Sequence, residues 1–388
     1  MSNVKINKPS IAILTTYIAP YRVSLFEELQ KRVGKLRIFI STKMEPNRRW
    51  GIDWGRLDVV VQNTITIPKK WKHPHGFIET TYTQIPMDTL SLLIDYQPDV
   101  IVSVEFGLRT LFSVFYKIFH WRCKLIIWAA ISSVTEKGRS RFRVLVRKIL
   151  LQFCDGVYVN GKSGRAYLNS LGMDDQRIFD APYATDVDVF KDISIFRTQE
   201  NAYRLLFIGQ LIERKGLSYL LRGLSCWLEK NQNKRIEMWI AGYGNQAGLL
   251  ESENKAPNFE IKLLGEVPYD RLAEIYCQCG ALVFPTLADE WGMVVNEAMA
   301  SGCIVLGSLY SQAVEEMVVE GQNGWAFHPE NTDEIENVLD KFFSKSVEQL
   351  NEMRVNAKAR SLEYSPDKIA DMMNIAIQSV LCVDNDEK

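Results

Sequence analysis

The sequence predicts an α/β fold made of two doubly wound domains, and three observations indicate it. The chain of 388 residues is long enough for two cores of roughly 180 to 200 residues each. Short apolar runs alternate with helical stretches, which is typical of parallel sheets whose strands are connected by helices. The composition, 47% apolar and 24% charged, is that of an ordinary globular protein.

In the first half, the earliest buried strand is predicted at residues 10–15, followed by a loop and a helix at residues 22–32. Further strands are predicted at residues 36–41, 100–104, 124–128 and 156–159, and a helix at residues 161–171. Parallel sheets bind ligands at the carboxyl ends of their strands, so we expect the loop with Pro20 and Arg22 to line the binding cleft. Arg22 could meet a phosphate there, but a solvated arginine at a helix start fits equally well. The segment Lys-Lys-Trp-Lys-His at residues 69–73 is predicted to form a loop.

After a polar linker at residues 191–201, the second half repeats the alternation. Strands are predicted at residues 203–208, 238–241, 280–284 and 303–307, and helices at residues 217–229, 293–300, 331–343 and 365–380. The predicted domains are residues 1–190 and 200–364. Residues 365–388 are predicted to form a final helix and a tail.

The most informative stretch is the strand, polar loop and helix start at residues 284–302. A helix start presents free amides and partial positive charge, so the backbone at Gly292, Met293 and Val294 can hold an anionic or polar ligand. Helical side chains lean toward the helix start, which directs Glu297 toward the loop that contains Asp289. Carboxylates accept hydrogen bonds from hydroxyls, so a sugar nucleotide suits this site. Alternatively, both acids are helix-start residues favoured by the helix dipole.

A second candidate lies between the strand that ends at residue 208 and the helix that begins at residue 217. Gly209 and the two cations Arg214 and Lys215, at a strand end and a helix start, are suited to clamp a diphosphate there. They could also be solvated helix-start residues, but the helix dipole disfavours cations at that end. Gly242, after the next strand, allows a nucleotide to approach the backbone.

The stretch at residues 284–302 resembles the signature of retaining, family 4 type glycosyltransferases of the GT-B fold. In that signature, an acid, seven residues and a Glu precede Ala-Met-Ala-x-Gly. Asp289 and Glu297 occupy the two acidic positions; Asp289 stands where Glu is usual, and Glu290 lies one position away. The resemblance implies two Rossmann-like domains facing across a cleft, with the last helix crossing back to the first domain. It also implies transfer of a sugar, with retention, from a nucleoside diphosphate sugar, without a cofactor or a required metal.

The resemblance further implies roles for individual residues. Lys215, with Gln210 or Arg214, would bind the diphosphate, and Glu297 would bind the ribose. Asp289 or Glu290 would bind the donor sugar together with the amides from Gly292 to Val294. Asp289, Glu297 and Lys215 are the predicted catalytic residues, and Gly209, Gly242 and the backbone of Val267 complete the donor site. The family's His after the strand at residues 124–128 and its Arg at position 210 are absent from this sequence.

The charge of the chain is split between its halves. Up to Thr185 there are 27 Lys and Arg against 15 Asp and Glu, and after it 19 against 32. We therefore expect a basic acceptor domain and an acidic donor domain, an asymmetry that can steer an anionic partner to one of them. Two basic and aromatic segments, residues 111–123 and 137–148, suit the surface of an anionic membrane, although a buried helix face would explain their aromatic spacing as well.

The expected partners are a nucleotide sugar, with UDP-sugars favoured, and a glycan or lipid-linked acceptor of cell-envelope polysaccharide or glycolipid synthesis. No nucleic acid is expected. Seven cysteines without zinc-like spacing and four scattered histidines predict no metal site and a reducing cytoplasm. No apolar run of 18 residues and no leader is recognised, so the protein is expected in the cytoplasm, at the inner face of the membrane.

Two other functions are compatible with the same residues. A non-catalytic protein that binds sugar nucleotides would fit Asp289, Gln210 and the missing His. A glycoside hydrolase also uses two carboxylates across a sugar, but it needs neither a phosphate clamp nor a helix start.

Overall fold

The computed structural model describes residues 8–46, 51–253 and 257–382. The chain divides into two compact units. Unit 1 is Met1–Ala184 together with Pro366–Lys388, and unit 2 is Thr185–Ser365.

Unit 1 is built on a parallel sheet of seven strands. Its elements in chain order are β1 (Ser10–Thr15), α1 (Pro20–Arg32), β2 (Lys35–Ile40), β3 (Asp58–Val61), β4 (Thr64–Lys72), β5 (Ile78–Pro86), α2 (Thr89–Tyr96), β6 (Val100–Val104), α3 (Leu108–Phe119), β7 (Lys124–Ala129), α4 (Arg141–Phe153), β8 (Gly156–Val159), α5 (Lys162–Ser170) and β9 (Ile178–Asp180). The strand order is β3-β2-β1-β6-β7-β8-β9, so the order reverses between β1 and β6.

The central strands of unit 1 are apolar because helices cover both faces of the sheet. In β1, Ile11 and Ile13 pack in the same core cluster as Phe26 of α1. Ala12 and Leu14 point to the opposite face and pack in the cluster that contains Val114 of α3. The helices α1 and α3 therefore lie on opposite faces of the sheet, on either side of the point where the strand order reverses.

The prediction of a loop at residues 69–73 is wrong. Residues 64–72 form β4, which pairs with β5 in a separate antiparallel ribbon whose register runs from Thr64 opposite Pro86 to Lys72 opposite Ile78. Most side chains of β4 are exposed, and its sequence therefore lacks the apolar run from which a buried strand is predicted. At the turn of the ribbon, the rings of His73 and Phe77 stack with their centroids 4.5 Å apart.

Unit 2 contains a second parallel sheet, of six strands. Its elements are β10 (Leu205–Ile208), α6 (Leu217–Lys230), β11 (Ile236–Ala241), α7 (Ala247–Glu253), β12 (Phe259–Gly265), α8 (Leu272–Tyr276), β13 (Ala281–Phe284), α9 (Met293–Ala300), β14 (Ile304–Ser308), α10 (Gln312–Met317), β15 (Gly324–Phe327), α11 (Thr332–Phe343) and α12 (Val347–Ser361). The strand order is β12-β11-β10-β13-β14-β15, which places β10 and β13 side by side at the centre.

The last helix, α13 (Pro366–Cys382), belongs to unit 1 and packs against α1. Arg32 of α1 donates to Asp367 at 2.5 Å and to Asp371 at 2.7 Å, while Met373 lies in the core cluster of α1. The α/β class, the two doubly wound sheets and the return of the last helix to the first unit are thereby confirmed. The predicted tail after Cys382 lies outside the described residues. Within those residues, no helix is both long enough and apolar enough to cross a bilayer.

Candidate functional site

The candidate site of unit 2 begins with the connection between β10 and α6. A single 3-10 turn, Glu213–Lys215, joins the loop to the helix, and Gly216 caps the helix in a left-handed conformation with φ 69°. A Cβ atom at Gly216 would lie 1.9 Å from the carbonyl oxygen of Pro285, so only glycine fits at this contact. The turn therefore approaches the end of β13 closely.

The loops after β10 and β11 also meet backbone to backbone. The amide of Gly209 donates to Ala241 at 3.0 Å, and the amide of Leu211 donates to Tyr243 at 2.7 Å. A Cβ atom at Gly242 would lie 1.8 Å from the carbonyl oxygen of Gly209. The ends of β10, β11 and β13 are thus held close together, backbone against backbone, at the edge of the sheet where parallel sheets bind ligands.

Lys215 and Asp289 are in direct contact. The Nζ atom of Lys215 donates to Oδ2 of Asp289 at 2.5 Å, and the two side chains are 15% and 16% exposed. Arg214 contacts the same carboxylate oxygen at 3.5 Å and donates to the carbonyl of Ala288 at 3.0 Å. Two cations and one acid, predicted separately from distant parts of the sequence, therefore form one cluster.

The charges of this cluster decide the ionisation of Asp289. Burial favours the neutral acid and opposes ionisation, but the charges of Lys215 and Arg214, the Lys215 hydrogen bond and the amide of Trp291 together hold the pKa of Asp289 below its ordinary value. Asp289 is therefore a carboxylate, which accepts hydrogen bonds and donates none.

The loop from Asp289 to Gly292 is held by the segment that precedes α10. The amide of Asp289 donates to Tyr310 at 3.0 Å, and Ser311 donates its hydroxyl to the carbonyl of Trp291. Gly292 is the N-cap residue of α9 and provides no side-chain cap, and the first turn contains no acid. The start of α9 therefore presents amides and partial positive charge close to the Asp289 loop.

Glu297, in the second turn of α9, has a different environment from Asp289. Its side chain is buried, with 5% of the residue exposed, and its Oε2 accepts a hydrogen bond from the hydroxyl of Tyr276 at 3.0 Å. Burial raises the pKa of Glu297 to about 7, although the Tyr276 hydrogen bond lowers it. The pKa values of the two predicted catalytic acids are therefore shifted in opposite directions.

The other predicted residues lie as follows. Gln210 is half-buried in the loop after β10, and Val267 is half-buried in the loop after β12. The side chain of Glu290 is exposed, while its carbonyl accepts from the side chain of Gln312 at 2.6 Å. Pro20 and Arg22 belong to unit 1, at the start of α1.

The structure adds two residues that the sequence patterns do not single out. Tyr276, at the end of α8, bonds to Glu297, and Tyr269 acts electrostatically with Glu297. Their spacing in the sequence carries no signal, because Tyr276 at the end of α8 and Tyr269 in the 3-10 turn before α8 are brought near Glu297 only by the tertiary fold. Among the described residues, no group of three or more His, Cys, Asp or Glu side chains could hold a metal ion.

Comparison with known proteins gives two kinds of match. Residues 188–360 match the family model described as glycosyl transferases group 1, and this region contains the whole cluster around Lys215 and Asp289. Over 148 residues, the chain is 30% identical to an uncharacterized glycosyltransferase of Methanocaldococcus jannaschii, which covers 38% of this chain. The match spans 37% of the length of that relative.

Solved structures are similar over nearly the full chain. Sucrose-phosphate synthase from Thermosynechococcus elongatus has a TM-score of 0.70 at 15% identity, over 97% of this chain and 100% of that one. The Anabaena protein HepE, solved in complex with UDP, has a TM-score of 0.70 at 15% identity, over 95% of this chain and 100% of that one. These likenesses concern the fold alone, and they confirm the GT-B fold that the resemblance implied.

Proposed function

We propose that this chain, whose residues 188–360 match the family model described as glycosyl transferases group 1, belongs to that family and transfers a sugar from a nucleoside diphosphate sugar with retention at the anomeric carbon. The observation that carries the proposal is the 2.5 Å contact between Lys215 and Asp289, beside the uncapped start of α9. Cations, an acid and a helix start meet at the carboxyl edge of a parallel sheet, where such sheets bind nucleotides.

The cluster suggests how the donor would bind. A diphosphate would compete with Asp289 for Lys215 and Arg214, because it carries more negative charge than one carboxylate. Once released from these cations, Asp289 would accept hydrogen bonds from hydroxyl groups of the donor sugar. Lys215 and Arg214 would then stabilise the charge that develops on the diphosphate as the glycosidic bond breaks.

We assign the nucleoside of the donor to Glu297 and to the loop after β12. Glu297 would accept from the ribose hydroxyls, and the backbone at Val267, after β12, would contact the base. Of the possible nucleotides we favour a UDP-sugar, because the similar HepE structures were solved with UDP and with UDP-glucose. Gln210 would contribute an amide donor to the diphosphate in place of a charge.

A donor screen tests this function. UDP-, GDP-, ADP- and dTDP-sugars are compared by the rise in melting temperature and by calorimetry, and the anomeric configuration of the released or transferred sugar is followed by NMR. We expect a UDP-sugar to raise the melting temperature most and the product to keep the donor's configuration. Binding without transfer or donor hydrolysis would favour a non-catalytic protein, and cleavage of a simple glycoside without nucleotide would favour a hydrolase.

Lys215→Ala gives the matching test at the residue level. We expect the loss of a charge-assisted contact to weaken donor binding and to lower turnover by at least about tenfold without changing the fold. Arg222→Ala removes an exposed cation from α6 and serves as the control. Equal turnover in the two variants would contradict the role of Lys215.

We also propose that unit 1 contacts an anionic membrane through an apolar and basic surface on α3 and α4, at the cytoplasmic face, and that the acceptor is a lipid-linked or envelope glycan. The exposed apolar side chains of this surface are Leu111, Phe115, Ile118, Phe119, Trp121, Phe142, Leu145, Ile149 and Phe153. The same stretch of the chain also carries exposed cations, namely Arg122, Lys137, Arg141, Arg143 and Lys148. A surface that exposes both apolar side chains and cations is complementary to an anionic lipid surface.

Liposome sedimentation tests the membrane contact. We expect more protein to sediment with anionic than with neutral vesicles, and Phe142→Ser to reduce that binding because Phe142 is 75% exposed within the surface. Ile375→Ser is the control, since Ile375 is 66% exposed on α13, on a different helix. Equal sedimentation with both kinds of vesicle would remove the proposal, and self-association of the free protein would point to a second copy as the partner.

A further inference from the structure

Two arginines of unit 1 are buried without a carboxylate partner. Arg22 is 8% exposed and Arg109 is 5% exposed, and neither forms an ion pair with any acid of the described residues. By contrast, Arg165 of the same unit pairs with Asp175 and Asp180, each at 3.0 Å. A buried charge without a counter-ion is costly, so Arg22 and Arg109 need an explanation.

Both arginines lie at the edge of the sheet where ligands bind. Arg22 is in the first turn of α1 and Arg109 in the first turn of α3, and helical side chains lean toward the helix start. Arg22 donates to the hydroxyl of Thr15 at 3.4 Å, and Arg109 donates to the hydroxyl of Thr16 at 2.9 Å. The two guanidinium groups therefore approach the end of β1 from opposite faces of the sheet, at the reversal of strand order.

The remaining contacts of the two arginines are with neutral groups. Arg22 donates to the hydroxyl of Tyr183 at 2.6 Å and lies over the rings of Trp128 and Tyr183, and Arg109 donates to Ser41 at 2.8 Å. The Nε atoms of both arginines are buried without an acceptor. Neither α1 nor α3 has an acid in its first turn or a side-chain cap, so helix-start amides add further positive potential.

Two acids act on this region from a longer distance. Burial lowers the pKa of Arg109, and the attraction of Glu105 and Glu45 opposes that effect without an ion pair. Glu105, directly after β6, also attracts Arg22. Its backbone has φ 66°, a left-handed conformation that is strained for a residue other than glycine and that recurs at binding sites.

We propose that Arg22 and Arg109 form a binding site for a phosphate group of the acceptor. The inference rests on the proposed transferase function and specifies its acceptor class, a phosphate ester. Two guanidinium groups match the double charge and the several oxygens of a phosphate, for which the fork of arginine is well suited. The ester could be a soluble sugar phosphate or a lipid phosphate, and the experiment distinguishes them.

The test uses the full chain with Lys215→Ala, so that phosphate binding at the donor site is weakened and contributes less to the signal. Glycerol 3-phosphate represents the soluble ester, and dodecyl phosphate micelles, with dodecanol as control, represent the lipid ester. We expect Arg109→Gln and Arg22→Gln to weaken binding of the better probe at least about tenfold, because each removes a charge-assisted partner. Arg165→Gln, whose arginine is already paired, is expected to bind as the parent does.

Two further measurements keep the inference testable if a glutamine variant fails to fold. Arg22→Lys and Arg109→Lys retain the charge but lose the fork, and they should weaken binding less than the glutamine variants do. Crystals of the wild type soaked in selenate should show an anomalous peak beside Thr15 and Thr16. Equal affinity in Arg109→Gln and Arg165→Gln, or a selenate peak at Lys215 alone, would overturn the inference. Donor hydrolysis by the wild type reports separately on the proposed function.

Discussion

At the residue scale, Asp289 and Glu297 show how environment separates two acids of one helix-and-loop segment. Lys215 and Arg214 hold Asp289 in its ionised form, whereas Glu297 is buried against the hydroxyl of Tyr276. Acids whose pKa values are driven apart are characteristic of functional sites, because each can perform a different task at the same pH. The proposed division, sugar hydroxyls for Asp289 and ribose hydroxyls for Glu297, uses this difference.

The first prediction concerns the pH dependence of stability at Glu297. Its pKa is about 7 in the folded protein, above the ordinary value of 4.5, so the folded state binds the proton more tightly. The resulting stabilisation is fully present below pH 4.5 and is lost as the pH rises through 7. Glu297→Gln cannot ionise, so at about pH 8 we expect it to be more stable than the wild type, by up to about 3 kcal/mol.

Urea unfolding of both proteins between pH 4.5 and about pH 8 checks this. The difference in free energy of unfolding should grow in favour of the variant as the pH rises. Glu274→Gln, at an exposed acid of α8, is the control and should follow the wild type. A pH-independent difference between Glu297→Gln and the wild type would mean that Glu297 is not a buried titrating acid.

At the element scale, the sequence predicts buried elements well and exposed ones poorly. The strand Ser10–Thr15 and the helix Met293–Ala300 have the predicted limits, because an apolar run or a clear helix start marks each of them. The ribbon of β4 and β5 was missed because most of its side chains face solvent and Pro68 interrupts the strand pattern.

For the candidate site, the sequence predicts which residues lie in the loops but not how those loops are brought together. The sequence places Lys215 and Asp289 each at the end of a strand, but only the adjacency of β10 and β13 in the sheet brings them to 2.5 Å. The Tyr276–Glu297 bond depends on how α8 packs against α9, and no local pattern encodes that packing. Strand order and helix packing are therefore the physical information that sequence patterns lack.

The second prediction concerns the turn that carries Lys215. Gly216→Ala would place a Cβ atom 1.9 Å from the carbonyl of Pro285 and would require alanine at φ 69°. We expect a loss of stability of at least about 2 kcal/mol from strain and backbone displacement. Because the turn would move away from β13, donor affinity should fall as well. Thermal unfolding and calorimetry with the best donor measure both effects.

The matched control is another glycine of unit 2. Gly248 lies in α7 and is exposed, and a Cβ atom added there would meet no heavy atom within 4 Å. Gly248→Ala should therefore be neutral or stabilising by up to about 1 kcal/mol. Equal stability of Gly216→Ala and Gly248→Ala would show that the approach of the turn to Pro285 is not essential.

At the scale of the whole molecule, charge divides with the two units. Unit 1 has 29 Lys and Arg against 20 Asp and Glu, and unit 2 has 17 against 27. An anionic donor would therefore bind within a net acidic unit and depend on the local cations Lys215 and Arg214. The basic unit, by contrast, would attract an anionic acceptor or lipid surface over a longer range, and salt would weaken that attraction.

The third prediction concerns the independence of the two units. Unit 2 is continuous in sequence, Thr185–Ser365, and contains its own core cluster and the candidate donor site. Unit 1, by contrast, is made of two separate stretches of the sequence, since it includes α13. From α13, Ile369, Met373 and Ile377 pack in the core cluster that contains Phe26. We therefore expect residues 185–365 to fold alone and to bind the donor nucleotide.

Residues 1–184 should not fold alone, because removing α13 exposes the apolar face of α1, and the loss of a single buried Leu, Ile or Met side chain costs about 2–5 kcal/mol. The summed cost of losing three such side chains is therefore comparable to the whole free energy of unfolding of a typical domain. Adding a peptide of residues 366–382 should restore a cooperative thermal transition to residues 1–184, and a peptide in which Met373 is replaced by Asp should not. If residues 1–184 melt cooperatively without the peptide, unit 1 does not need α13 in order to fold, and this prediction is wrong.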